Sequence, residues 1–581
     1  MKRMVCFLSW MLALASLLPA QEREVKLKIL QTSDVHGSYY SYDFIHRKEV
    51  AGSLAHVHSL VQKEREAYGD NLILLDDGDI LQGQPTAYYY NYIDTVSPHL
   101  AAEMMNFMGY DAGSMGNHDV ETGRTVFDRW AGDCHFPILG ANIVSAATGK
   151  PHFKPYEVLE RDGVKIVVLG MITPAVPVWL SENLWEGLRF DDMEETARKW
   201  MKIIRKKEKP DLVIGLFHAG RDVKLMGGKY RENASVEVAR RVPGFDMVLM
   251  GHDHTQACQK VCNVAGDSVL VINPASKGLL VSNIDVTLKL CKGKVVGKKI
   301  EGALSETEGF GVSEAFMKRF APEYEAVQKF VSKKIGTITK DISTRPAYFG
   351  SSAFIDLIHE LQLAISGADI SLAAPLSYDA EIRKGDIFVS DMFNLYKYEN
   401  MLYTMRLTGR EIHGALEMSY DLWTNRMQSP DDHLLLFREE GGEAAGQRAS
   451  LKNLSFNFDS AAGILYTVDV TKPRGERVTI LSLADGTPFE MDRMYKVAVN
   501  SYRGNGGGEL LTLGAGIPQD ELKERVITST DKDLRYYLMR HIEQKKAMEP
   551  RALNQWKFIP EAWAKPAMER DYEFLFGQKW K

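Results

Sequence analysis

Five times in the first half of the chain a short apolar run ends in a block of aspartate, asparagine or histidine, and this recurrence constrains the fold more than any other feature. Val25–Leu30 leads into Asp34-Val35-His36-Gly37, and Leu72–Leu75 into Asp76-Asp77-Gly78-Asp79. Asp111–Met115 leads into Gly116-Asn117-His118-Asp119, Leu212–Phe217 into His218-Ala219-Gly220, and Met247–Met250 into Gly251-His252-Asp253-His254. Such runs, with Ile166–Leu169, predict strands, and the segment 192–206 between two of them has helical spacing with charged faces. Alternation of this kind predicts a layered α/β domain. Side chains following the carboxyl ends of strands are where α/β folds build sites. Asp-x-His or His-x-His in an extended turn puts two donors on one side, and the adjacent glycines allow the turn. A single block of this type is commonly structural. Five in order predict a centre for two divalent metal ions, and mixed imidazole and oxygen donors suit zinc, manganese or iron without choosing among them.

The rest of the chain sets the context. The net charge of -6 argues against a sequence-blind hold on nucleic acid, and 45% hydrophobic with 25% charged residues excludes fibrous and disordered classes. Residues 1–20 read as a secretory signal: Lys2 and Arg3, an apolar run from Val5 to Leu18, then Pro19-Ala20. The run is short of the ~20 residues a membrane span needs, Cys6 lies inside it rather than at a lipoprotein boundary, and no later run is long enough. The expectation is an exported chain with no membrane span after cleavage. Of the remaining cysteines, one bridge among Cys258, Cys262 and Cys291 fits an oxidising compartment, with the pairing open. A structural zinc site joining His252 and His254 to Cys258 and Cys262 is a lesser alternative. His56 and His58, on a helical stretch with Leu54, Val57 and Leu60, read as surface or packing residues.

From Phe316 through Phe320, Tyr324, Val327 and Val331 the apolar spacing is helical, with Pro322 starting or kinking the helix. This stretch predicts a bridge between two large domains. The second half mixes helices (352–365) with strands (464–470, 495–499), and the aromatic tail carrying Trp556, Trp563, Phe574, Phe576 and Trp580 is expected to pack onto the body.

The ordered blocks resemble those of the calcineurin-like metallophosphoesterases, and Asp77-Gly78-Asp79-Ile80-Leu81-Gln82-Gly83-Gln84-Pro85 narrows the resemblance to the 5'-nucleotidase family. It implies a signal segment over 1–20, a metallophosphoesterase domain over 21–310, a helical linker over 311–336, a mixed α/β nucleotide-recognition domain over 337–545, and the tail over 546–581. It also implies one ion on Asp34, His36 and His254, a second on Asn117, His218 and His252, and Asp79 bridging both. A hydroxide held on the metals would attack phosphorus. His118 would act on the phosphoryl group or leaving oxygen, with a third ligand as its alternative role. Glu121 would orient His118, although the family has the shorter aspartate there. Asp119 reads as a helix cap.

The same resemblance assigns the base to Tyr398 and Tyr502, the latter opening the loop Tyr502-Arg503-Gly504-Asn505-Gly506-Gly507-Gly508. Where 5'-nucleotidases carry Gly-Gly-Gly-Ile-Arg, this chain has Ala373-Ala374-Pro375-Leu376-Ser377 without arginine. That departure, with Phe458-Asp459-Ser460, is more similar to the 2',3'-cyclic-nucleotide 2'-phosphodiesterase/3'-nucleotidase branch. The expected substrate is a nucleotide. A 5'-nucleotidase or nucleotide-sugar hydrolase, a thiosulfate-ester hydrolase, and a non-catalytic nucleotide-binding or adhesion protein are the competing expectations. Oligomeric state is open.

Overall fold

The computed structural model describes residues 22–222, 225–226, 229–438 and 451–580; the expected signal segment lies outside them. Two six-stranded sheets form the first domain. One runs in the order 294–306, 280–291, 22–32, 72–76, 112–114, 138–139, the other 256–262, 268–274, 247–250, 212–218, 164–172, 156–161. The expected strands are all present, and the central ones pair in parallel.

The sheets stack face to face on one apolar layer that includes Leu27, Ile29, Ile73, Leu75, Ile166, Val168, Ile214, Leu216 and Leu249. Their outer faces are covered by helices. Leu54–Tyr68 and Leu100–Met108 pack on the first sheet. Met193–Lys207 and Ser235–Arg241 pack on the second. The strand Val164–Ile172 divides its side chains accordingly: Ile166 and Val168 enter the middle layer, Val167, Leu169 and Met171 the outer one. A strand buried on both faces must read as a continuous apolar run, which is why these segments stand out in the sequence.

Pro322 starts a helix rather than kinking one. Glu314–Arg319 ends, and Ala321–Val331 begins with Pro322 in its first turn. Phe316, Phe320, Val327 and Val331 are buried against the first domain, and Tyr324 closes a ring cluster with Tyr40, Tyr42 and Phe44. The second domain is built on a five-stranded sheet in the order 460–462, 370–373, 494–500, 401–408, 526–533, with helices Ala353–Ser366 and Gly409–Trp423 beside it. The tail joins it: Trp556–Ile559 pairs in parallel with Ile464–Asp469, and the helix Glu561–Phe576 follows. Trp556 and Phe576 are buried and Trp580 packs on Phe349, whereas Phe574 is 58% exposed.

Two expectations are corrected. Cys134, Cys258, Cys262 and Cys291 are all free. Cys258 and Cys262 share one strand, where four residues span about 13 Å, well beyond the reach of a disulfide. Nor do these cysteines join His252 and His254, whose donor groups are aspartates and histidines among the described residues. His56 and His58 are buried packing residues, held by Ser53 and Ser313 respectively.

Candidate metal centre and interdomain cleft

Every block of the sequence motif falls at the same edge of the two sheets, where strands from both sheets end. There the structure brings Asp34, His36, Asp79 and His254 into one cluster and Asp79, His218 and His252 into a second. Asp79 is common to both. Five of these six residues have a left-handed backbone, with φ of 51° at Asp34, 50° at His36, 57° at Asp79, 73° at His252 and 54° at His254. A non-glycine residue in that region is strained. The left-handed turn at each residue accompanies its side chain's place in the cluster.

The loops are held from behind. Asp34 and His36 donate their N–H groups to the Gly78 and Asp79 carbonyls at 2.9 Å each. Asp119 does more than cap its helix. Its carboxylate accepts from the backbone N–H groups of Gly116, Asp79, Ile80 and Leu81, at 2.8–2.9 Å, so it clips the Asp79 loop to the Asn117 loop. Gly78 lies so close to Gly116 that a Cβ there would stand 2.5 Å from the Gly116 nitrogen.

The imidazoles are oriented by what lies behind them. His36 Nδ1 is 3.2 Å from the Gln82 carbonyl oxygen and His218 Nδ1 is 2.5 Å from that of Asp77. A carbonyl only accepts, so Nδ1 carries a proton in both and Nε2 is the nitrogen turned to the cluster. His36 Nε2 faces His254 Nε2 at 2.9 Å, and His254 Nε2 is 3.2 Å from Asp34 Oδ1. Asp79 Oδ2 is buried without a hydrogen bond, 3.2 Å from His218 Nε2 and 4.0 Å from His36 Nε2. Asn117 Oδ1 lies 3.2 Å from His218 Nε2. A buried, unpaired carboxylate oxygen between two sets of nitrogen donors fits a pair of divalent cations.

The electrostatics agree. Burial pushes Asp34 up, but His254 outweighs it and brings the carboxyl down to about 2. Burial also opposes the charge on Asp79, yet His218 and His118 hold it well below the usual carboxylate range. His36 is pushed down to about 3 by burial and His254. His218 goes the other way: burial works against its charge, but Asp79 outweighs burial and raises it well above 6.5. Both carboxylates are therefore ionised and His36 is neutral, while binding of metal at the second cluster would release a proton from His218.

His118 stands beside this centre, outside both clusters. Its Nδ1 is 2.5 Å from Glu121 Oε2, so the longer carboxylate reaches the ring. Burial works against its proton, but Asp79 and Glu121 outweigh burial and raise its pKa to about 10.

His118, Glu121, Asn117 and His252 line one end of a cleft of about 420 Å³ between the domains. The second domain lines the other end, with Tyr398, Phe456 and Tyr502. Phe456 stands edge-on to both tyrosines, at ring-centroid distances of 6.3 and 6.1 Å. No Lys or Arg is among the described lining residues. Arg503, in the glycine-rich loop, is buried and turned away from the cleft. It pairs with Asp459 at 2.8 Å and bonds the Gly507 and Phe456 carbonyls, so it shapes the loop. Phe456, Trp179 and Glu232 are cleft residues that the sequence did not announce; each lies outside any motif.

A layered double-sheet domain with two Asp/His clusters at its strand ends, facing a second α/β domain across a cleft, defines a metallophosphoesterase architecture. The calcineurin-like phosphoesterase family matches residues 27–256 and the 5'-nucleotidase C-terminal domain matches residues 334–514, together most of the chain. The chain belongs to the 5'-nucleotidase family of calcineurin-like metallophosphoesterases.

Its relatives extend the likeness across 92% of the chain. The trifunctional nucleotide phosphoesterase protein YfkN of Bacillus subtilis is 27% identical over 92% of this chain, which spans 39% of that longer protein. The 2',3'-cyclic-nucleotide 2'-phosphodiesterase/3'-nucleotidase of Haemophilus influenzae is 26% identical over 92% of this chain and 88% of its own length. In fold, a Staphylococcus aureus protein solved with alpha-ketoglutarate superposes with TM-score 0.75 at 21% identity, covering 92% of this chain and all of its own. A 5'-nucleotidase precursor from Thermus thermophilus gives 0.62 at 21% identity with the same coverage. Among the described residues no helix is long and apolar enough to cross a membrane.

Proposed function

We propose that this chain is an exported, metal-dependent nucleotide phosphohydrolase that opens 2',3'-cyclic nucleotides and removes the resulting 3'-phosphate. The observation that carries this reading is the cleft, with its metal-type donors and His118 at one end, three aromatic rings at the other, and no lysine or arginine in its described lining. A cyclic phosphodiester carries a single negative charge, which the metal end can hold. A polyphosphate chain would extend further charge along a wall that presents Glu121, Glu232 and Glu509. Likeness to the Haemophilus enzyme supports the same branch. The signal-like residues 1–20 support export to the periplasm or cell exterior.

In this reading Asp34, His36, Asp79 and His254 would hold one ion, and Asp79, Asn117, His218 and His252 the other. When bound, two such ions supply Lewis acidity and an acidified water nucleophile. Asp79 accepts the His118 backbone N–H at 2.7 Å, fixing the base of that side chain against the centre. His118, protonated and oriented by Glu121, donates to the phosphoryl or leaving oxygen as charge develops there. Tyr398 and Tyr502 stack on the base, with Phe456 closing the pocket behind them.

The test is phosphate release from a panel of 2',3'-cyclic, 3'- and 5'-nucleotides with zinc, manganese or iron. Cyclic and 3'-nucleotides should turn over fastest and nucleoside triphosphates slowest. Preference for 5'-nucleotides would assign the chain to the 5'-nucleotidase branch instead.

A further inference from the structure

The two clusters are unequal in charge. The first has Asp34 to itself and shares Asp79, whereas the second has only its share of Asp79, its other donors being Asn117, His218 and His252 with no carboxylate among them. The histidines also differ in what stands behind them. His36 and His218 each rest on a backbone carbonyl. His252 instead has Nε2 3.2 Å from Glu232 Oε1, a carboxylate twenty residues away. The opposite constraint on that ring comes from Trp179, tilted 33° to it at 5.5 Å between centroids.

Glu232 is itself held in place. The preceding residue, Arg231, is clamped by Asp192 at 2.6 Å and Glu194 at 2.9 Å. The following one, Asn233, accepts the Gly220 N–H at 2.7 Å. The Glu232 side chain is 16% exposed. A carboxylate held in this way at the far nitrogen of a ring has two physical effects. It draws the imidazole proton to Nε2, leaving Nδ1 as the donor, and it adds negative charge to the poorer half of the centre.

We propose that Glu232 is the positioning residue of the second metal site, fixing the tautomer and orientation of His252 and supplying the charge that site lacks. This rests on the metal-centre reading above and deepens it.

The experiment titrates the metal-free full-length protein, its Glu232→Ala and Glu232→Gln variants with cobalt(II) against a competing chelator, following stoichiometry and the visible cobalt spectrum. Wild type should bind two ions. Glu232→Ala should weaken the second about 10- to 100-fold and leave the first unchanged, with an unaltered melting temperature of the metal-free protein. Glu232→Gln, which can still accept from Nε2–H but carries no charge, should fall between the two. Wild-type affinity for both ions in Glu232→Ala overturns the proposal while leaving the metal centre intact. Equal weakening of both ions with a lowered metal-free melting temperature would make Glu232 a folding residue and likewise overturn it. Fewer than two ions in wild type would remove the metal-centre reading itself.

Discussion

Replacing Tyr502 with alanine separates the work of the two domains. The ring's back is closed by its own loop, since a Cβ at Gly507 would lie 2.5 Å from Tyr502 Cε2. The Arg503 guanidinium sits 5.5 Å from the ring centroid, and Phe456 meets the ring at 86°. What remains is the face lining the cleft, and one base–aromatic stack is worth about 1–3 kcal/mol. At about 1.4 kcal/mol per decade the loss is roughly 5- to 150-fold in kcat/KM for a cyclic nucleotide. A simple aryl phosphate needs only the metal end and His118, so its hydrolysis should barely change. Adding Tyr398→Ala should cost less than the sum of the two, because a base held by one ring is already poorly fixed. The assay is steady-state hydrolysis of both substrates, with thermal unfolding alongside. Equal losses on both substrates together with a lowered melting temperature would refute the clamp and make the tyrosines packing residues.

Other expectations follow from the centre and the core. Asp79→Asn removes the charge shared by both clusters, so metal analysis should show both ions weakened, with activity toward every phosphate ester lost and the fold retained. His118→Ala should lower kcat by about 10²–10⁴ with metal content unchanged; loss of an ion would make His118 a ligand instead. His359 and His99 are wholly buried, and burial holds each down at about 3, helped at His99 by Arg129. Their contribution to stability is therefore complete above the unfolded value of 6.5 and is lost as pH falls from there toward 3. At pH 5 the loss is about 2 kcal/mol per histidine, readable by denaturant titration, and His359→Gln should remove its share of that pH dependence.

The strands and the metal-type blocks were legible because they obey one rule. A strand covered on both faces must be apolar throughout, and polar residues can appear only where it emerges, so Leu212–Phe217 points directly at His218. That Tyr398 and Tyr502 would share one cleft was legible only through resemblance, since nothing in their own spacing separates a cleft residue from a core one. Glu232 and Phe456 were not legible, because each acts on a partner or pocket that only folding assembles. Asp119 was half legible. Its capping of the Asn117 helix follows from sequence, but its hold on three N–H groups of the Asp79 loop joins segments about forty residues apart. The cysteines misled because sequence proximity on a strand is separation in space. His56 and His58 were left between surface and packing, and Ser53 and Ser313 decide for packing.

The left-handed backbone at Asp34, His36, Asp79, His252 and His254 also marks where this chain resists being improved. Each such residue costs of order 1–3 kcal/mol, a sum comparable with the ~5–15 kcal/mol by which folded proteins are stable at all. Glycine would accept those angles without strain. A screen that rewards heat resistance alone would therefore drift toward glycine at these histidines, and its hardiest survivors would be the ones least able to hold a metal. Selection for durability in this fold has to be run with metal present, so that the ligands repay in binding what they cost in conformation.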